Sequence, residues 1–215
     1  QNLRGMTGQI AAAHQAYLSA MASDSYNFIA TQKIRNAADI RGMAIGLVDP
    51  VSSWVTGAEG LPVRIQADLL GARLEAGTLI GALLPNTEMH RLGLKKFADH
   101  YTRTKFGAQV PFIITVNTRA LKALPDALRS VVLETASGFA STSAQDYCAA
   151  GVEAVEILKS QGVLTAKLLK SRRFQWADAL GPVAQEWAAR NDRARRPGSK
   201  AMASFMSHLS AAGVT

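Results

Sequence analysis

With 215 residues, 48% of them hydrophobic, and a formal net charge of +8, the chain is long enough to bury one large core or two smaller ones. Charged residues interrupt every long segment, so no apolar run approaches the roughly 20 residues a transmembrane helix needs. The basic balance, with a pI near 9.9, suits nucleic acid or an anionic membrane in principle. Yet the densest runs, Lys170 to Arg173 and Arg190 to Lys200, lack interleaved aromatics that would stack on bases. They read as solvated surface, or as a field that speeds capture of an anionic solute; no nucleic-acid partner is expected.

In chain order, the apolar spacing of Ile10, Ala13, Tyr17 and Met21 predicts a helix over Gly8 to Ala22, followed by a strand over Tyr26 to Ala30. Met43 to Val48 reads as a second strand ended by Asp49-Pro50, Val51 to Ala58 as at most two helical turns, and Pro62 to Ile65 as a third strand. Asp68 to Ala76 is predicted to be a helix capped by Asp68 and closed by Gly77. The nearly all-apolar Thr78 to Leu84 then reads as a strand covered on both faces. A helix over Glu88 to Tyr101 precedes the run Val110 to Val116, a short β-rich strand broken at Asn117. Leu124-Pro125-Asp126 opens a helix without proline as far as Gln161, long for a globular domain, and a short strand over Val163 to Lys167 follows. The remainder from Arg173 is helical, kinked at Gly181-Pro182, with Arg196-Pro197-Gly198-Ser199 its one linker-like stretch. This alternation predicts α/β, with a small mixed sheet built from the strands near Tyr26, Met43, Pro62, Thr78 and Val110.

Catalytic signals are absent. There is no GxSxG, Gly-rich phosphate loop or HExxH, and the glycines of Gly42-Met43-Ala44-Ile45-Gly46 fall within a strand rather than between strand and helix. The single cysteine, Cys148, is expected to be a buried thiol beside Tyr147. His14, His90, His100 and His208 are scattered without ligand spacing, so neither metal nor cofactor is assigned and no enzyme is expected. The chain opens on Gln1 rather than Met and reads as a processed product or a fragment.

Four blocks, taken together by order and spacing, carry a resemblance. They are Asp39-Ile40 leading into Gly42 and a strand; Pro62-Val63 before a helix ending in Gly77; the Asn117 strand with Leu124-Pro125; and a late helix carrying Glu186-Trp187. In this the chain resembles the DctP-type solute receptors of tripartite ATP-independent periplasmic (TRAP) transporters. The resemblance implies a two-lobed periplasmic binding protein-like (type II) α/β fold whose first lobe is incomplete, lacking roughly a hundred N-terminal residues. On that plan residues 1–25 are a partial first lobe and 26–109 the second lobe. Residues 110–149 are a crossing strand and long helix, and 150–215 return to the second lobe.

The resemblance also places a ligand cleft. Where the family has an arginine that pairs with a substrate carboxylate, this chain has Gly46, and an earlier arginine expected near Tyr26 or Asn27 is missing too. Asp49 keeps a polar position three residues on, although an aspartate repels an acid. Ala67 and Leu69 replace an aromatic and a glutamate, and Leu84 replaces an asparagine. Asn117 matches a family asparagine, with capping of the turn into the next helix an equal alternative. Arg64 and Lys105 stand as substitute cations and Trp54 as a stacking wall. Two sites remain open: an apolar pocket lined by Leu84, Ala67 and Trp54, or an acid held through Arg64 or Lys105. The function implied is that of a periplasmic receptor delivering a small organic solute, an acid by resemblance, to the membrane subunits of a TRAP transporter. A truncated or repurposed lobe that senses a ligand or contacts a protein is the alternative. Uncovered apolar faces at Val110 to Val116 and Ile10 to Tyr17 make a homodimer possible.

Overall fold

The computed structural model describes residues 4–211 and 213. Helix α1 (Arg4–Ala12) leads into strand β1 (Gln15–Ala22) and then β2 (Tyr26–Ala30) and β3 (Ala44–Leu47). The short helix α2 (Ser53–Thr56) and strand β4 (Leu61–Arg64) are followed by α3 (Leu70–Glu75), β5 (Gly81–Pro85), α4 (Asn86–Arg91) and β6 (His100–Arg103). Next come β7 (Pro111–Asn117), α5 (Thr118–Ala123), the 35-residue helix α6 (Asp126–Ser160) and strand β8 (Leu164–Lys167). Helices α7 (Lys170–Asp178), α8 (Val183–Arg193) and α9 (Gly198–Ala211) complete the chain.

Six strands form one mixed sheet in the order β4-β3-β5-β2-β6-β8. β3 runs parallel to β4 and β5, β6 runs parallel to β8, and β2 is antiparallel to both its neighbours. Alternate residues of β2 point to opposite faces, so Phe28 and Ala30 join one core with Ile45, Leu47, Leu83, Phe106 and Trp176, while Ile29 joins another with Leu70, Leu79, Leu84 and Met89. Every residue of β2 and β5 is buried, as strands covered on both faces require. On the first face Trp176 stacks on Phe28 at 5.6 Å and donates its indole N–H to the Trp54 carbonyl oxygen at 2.7 Å, fastening α7 to α2.

β1 and β7 stand apart as an antiparallel ribbon, paired from Gln15 with Asn117 to Ala22 with Pro111 and bulged between Tyr17 and Ser19. The strand at Val110 therefore does not join the larger sheet as expected. The predicted helix over Gly8 to Ala22 ends at Ala12, where His14 takes a left-handed φ of 56°. Beyond it the chain is extended, because pairing with β7 outweighs local helical spacing. The predicted helix Glu88 to Tyr101 likewise stops at Arg91; Gly93 at φ +61° turns the chain through a 3-10 turn at Leu94–Lys96 into β6. Asp68 is no cap: it lies within a 3-10 turn, Ala67–Leu69, that feeds α3 without a side-chain hydrogen bond.

The long helix runs where predicted and carries one glycine with a packing reason. A Cβ at Gly151 would lie 2.7 Å from Asp24 Oδ2, so only glycine lets the β1–β2 connection close on the helix. Cys148, expected to be buried, is exposed on this helix. Among the described residues no helix is long and apolar enough to cross a membrane.

Candidate ligand site

β3, β4 and β5 run in one direction, so their carboxyl ends share one edge of the sheet, the edge at which parallel α/β sheets place ligands. β2 is antiparallel and begins there. A cavity of about 210 Å³ opens at this edge. The sheet supplies Tyr26 from the start of β2, Val48 and Asp49 beyond β3, Ala67 beyond β4, Pro85 from the end of β5, and Thr87 and Glu88 from α4. The opposite wall is Met21 and Phe112 from the ribbon, Ser23 from the β1–β2 connection and Tyr147 from α6. The volume lies below the roughly 300–1,000 Å³ of drug-sized sites, so it suits a small solute.

Three carboxylates, those of Asp49 and Glu88 on the wall and of Asp24 behind it, shape its electrostatics. Tyr26 donates its hydroxyl to Asp49 Oδ2 at 2.5 Å. Burial, reinforced by that hydrogen bond and the Asp49 charge, pushes the Tyr26 hydroxyl well above the ordinary tyrosine range. Asp24, 4% exposed, sits just behind the wall. It accepts from the backbone N–H of Asn86 at 2.8 Å and of Thr87 at 3.4 Å, and from the Thr87 hydroxyl at 2.7 Å. It thereby satisfies the open N-terminal turn of α4. Burial nonetheless raises its pKa above the usual 3.8, the hydrogen bonds opposing the shift. Behind it Asn86 accepts from the Asn27 amide at 2.8 Å and the Tyr101 hydroxyl at 3.1 Å, so the buried polar layer is paired. Glu88 is engaged by Arg91, whose Nη2 lies 2.6 Å from Oε2. Among the described residues, no group of three or more His, Cys, Asp or Glu side chains is placed to hold a metal.

Of the expected site residues, Asp49 and Ala67 lie on this wall. Gly46 does not: an added Cβ would stand 2.6 Å from Leu70 Cδ2 and 3.0 Å from Leu79 Cδ1, so its open side faces packed leucines. Leu84, expected in the lining, is fully buried in the core behind the wall. Trp54 stacks on Phe106 with ring centroids 3.7 Å apart and gives its N–H to Gln109 Oε1 at 2.8 Å, a core position rather than a wall. Arg64 ends an exposed edge strand and Lys105 is exposed on a left-handed turn with φ 59°; neither lines the cavity, so neither stands as the substitute cation there. Asn117 caps α5, accepting from Arg119 and Ala120 N–H at 3.0 and 3.1 Å. Sequence reasoning missed Tyr26, Phe112, Tyr147 and Thr87 as wall residues. Tyr26 and Thr87 were findable as the first residue of one strand and the first helical turn after another.

The cavity lies where open α/β sheets hold their ligands, outside the carboxyl ends of parallel strands. The sequence matches the profile of the DctP family, bacterial extracellular solute-binding protein family 7, over residues 5–191, and the chain belongs to that family. No curated protein matches its sequence. Among solved structures it is similar to a TRAP periplasmic solute-binding protein from Desulfovibrio salexigens (TM-score 0.80, 16% identity, covering 94% of this chain and 63% of that one). It is also similar to one from Rhodoferax ferrireducens with bound malonate (0.78, 14%, 96% and 65%) and to one from Roseobacter denitrificans with bound β-D-glucuronate (0.75, 18%, 91% and 65%). At these identities the likeness shows the fold. The chain spans under two thirds of the length of each.

Proposed function

We propose that this chain is the solute-binding part of a periplasmic TRAP-type receptor and not an enzyme, and that it holds a small organic solute for transfer to membrane subunits. The cavity carries this reading. It lies between the carboxyl edge of the larger sheet on one side and the β1–β7 ribbon with α6 on the other, so a bound solute would bridge two differently built parts of the fold. Family resemblance suggests an organic acid, whereas among the described residues the wall offers no arginine for one. Titration calorimetry against acids, neutral solutes and amines tests the reading: binding of one class at micromolar affinity supports it, and silence across all classes refutes it.

A second reading, a lobe that works through protein contact, is favoured by an apolar groove of about 310 Å³ where β1 and β7 meet α6, lined by Leu18, Ile114, Val131, Val132 and Phe139. Val131 is 57% exposed there. Self-association or partner capture through this groove, with the cavity binding nothing, would favour this second reading.

A further inference from the structure

Resting on the receptor reading above, we propose that the cavity takes a positively charged solute, a small protonated amine or quaternary ammonium, rather than a carboxylate. The donors and acceptors around the cavity carry this choice. A solute carboxylate needs N–H or O–H donors, best supplied by a cation. Among the described residues, no arginine, lysine or histidine lines the cavity. Two of the backbone N–H groups that open α4 beside it, those of Asn86 and Thr87, are already occupied by the carboxylate of Asp24, which also takes the Thr87 hydroxyl. The Tyr26 hydroxyl is given to Asp49 and that of Ser23 to the Asp24 carbonyl oxygen at 3.1 Å. Among the described residues, Tyr147 is the remaining wall hydroxyl that donates to nothing. Among the described residues, an entering anion would meet one free hydroxyl donor, the Asp49 charge and the Glu88 carboxylate, the last already paired with Arg91.

A cation meets the opposite arrangement. Asp49 Oδ2 accepts from Tyr26, while Oδ1 has no hydrogen-bond partner among the described residues and no cation pairs with this side chain. The rings of Tyr26, Phe112 and Tyr147 share the lining, and aromatic faces attract ammonium groups. Met21, Val48 and Pro85 supply apolar surface suited to alkyl substituents on nitrogen. The chain's +8 charge repels a cation from afar. Salt screens that field over about 8 Å at physiological ionic strength, so at contact the carboxylate governs. This wall chemistry runs against the acids named for the malonate- and glucuronate-bound neighbours.

The test is titration calorimetry of the whole chain with choline, putrescine, 3,3-dimethyl-1-butanol (the uncharged isostere of choline) and succinate. At least one cation should bind, choline about tenfold or more tighter than its isostere, as expected for a charge-assisted contact. Asp49→Asn should reduce that difference several-fold, the aromatic faces keeping the remainder. Phe112→Ala, at a side chain 48% exposed and therefore tolerant of truncation, should weaken cation binding several-fold without shifting the melting temperature. Equal binding of choline and its isostere, or tighter binding of succinate, overturns the cation proposal and leaves the receptor reading standing. No binding of any of the four overturns both.

Discussion

Replacing Gly151 by alanine should destabilise the protein, although glycine-to-alanine changes inside helices ordinarily stabilise by about 1 kcal/mol. The added Cβ would lie 2.7 Å from Oδ2 and 2.8 Å from Cβ of Asp24. Asp24 must retreat by several tenths of an ångström, and its bonds at 2.7 and 2.8 Å to the Thr87 hydroxyl and the Asn86 N–H stretch with it. A hydrogen bond to a charged group contributes roughly 1.5–3 kcal/mol, and the weakened carboxylate stays buried. Losing one or two such bonds outweighs the helical gain, leaving a net loss of about 0.5–5 kcal/mol, at roughly 2–4 °C in Tm per kcal/mol for a chain of this size. Gly138, on the same helix with nothing within 4 Å of its added Cβ, is the internal control; Gly138→Ala should stabilise by about 0.5–1 kcal/mol. Urea unfolding of both variants, repeated in an Asp24→Gly background, reads the effect. There Gly151→Ala should recover its helical benefit, because both the carboxylate and the Cβ that obstruct it are gone. If Gly151→Ala stabilises the wild-type background as much as Gly138→Ala does, the packing argument at Asp24 is wrong.

Asp24 also predicts a pH dependence. Its folded pKa is raised above 3.8, so the folded state holds the proton more tightly and this group's contribution to stability falls as pH rises from about 4 through the folded value. Wild type should therefore lose stability relative to Asp24→Asn between pH 4 and 7 in urea titrations, and a constant difference would contradict the shift. Cys148 is exposed, so Ellman's reagent should titrate one thiol in the native protein without denaturant. If the apolar groove at α6 and the ribbon drives self-association, light scattering should show concentration-dependent dimers that Val131→Lys removes. Gly46→Arg should fail to create succinate binding and should cost several kcal/mol, because it drives an unpaired cation into Leu70 and Leu79. Succinate binding by that variant would show that the position opens on the cavity.

The elements that could be read from the sequence were those whose local pattern and tertiary role agree. The all-apolar β5 and the proline-free α6 needed no partner to be recognised, and Asn117 before Thr118 already carried its own cap. β1 and β6 were hidden because each is extended only through its partners: β1 through β7, β6 through β2 and β8. The site was harder, since a family position fixes a place along a strand and not the direction of a side chain. Gly46 reads as a lost arginine from resemblance, whereas the space beside it is occupied by Leu70 and Leu79 and faces the core. Two residues further along the strand the same alternation reaches Val48, and the next residue, Asp49, meets Tyr26 at the cavity wall. Asp24, whose carboxylate supplies the missing counterpart to the α4 N-terminus, gave no motif at all; its importance depends on Gly151, 127 positions away in the chain, leaving room for it. The N–H groups of Asn86 and Thr87 at this edge are thus taken by the protein's own acid and Glu88 is paired with Arg91, which leaves Asp49 as the charge a solute must answer.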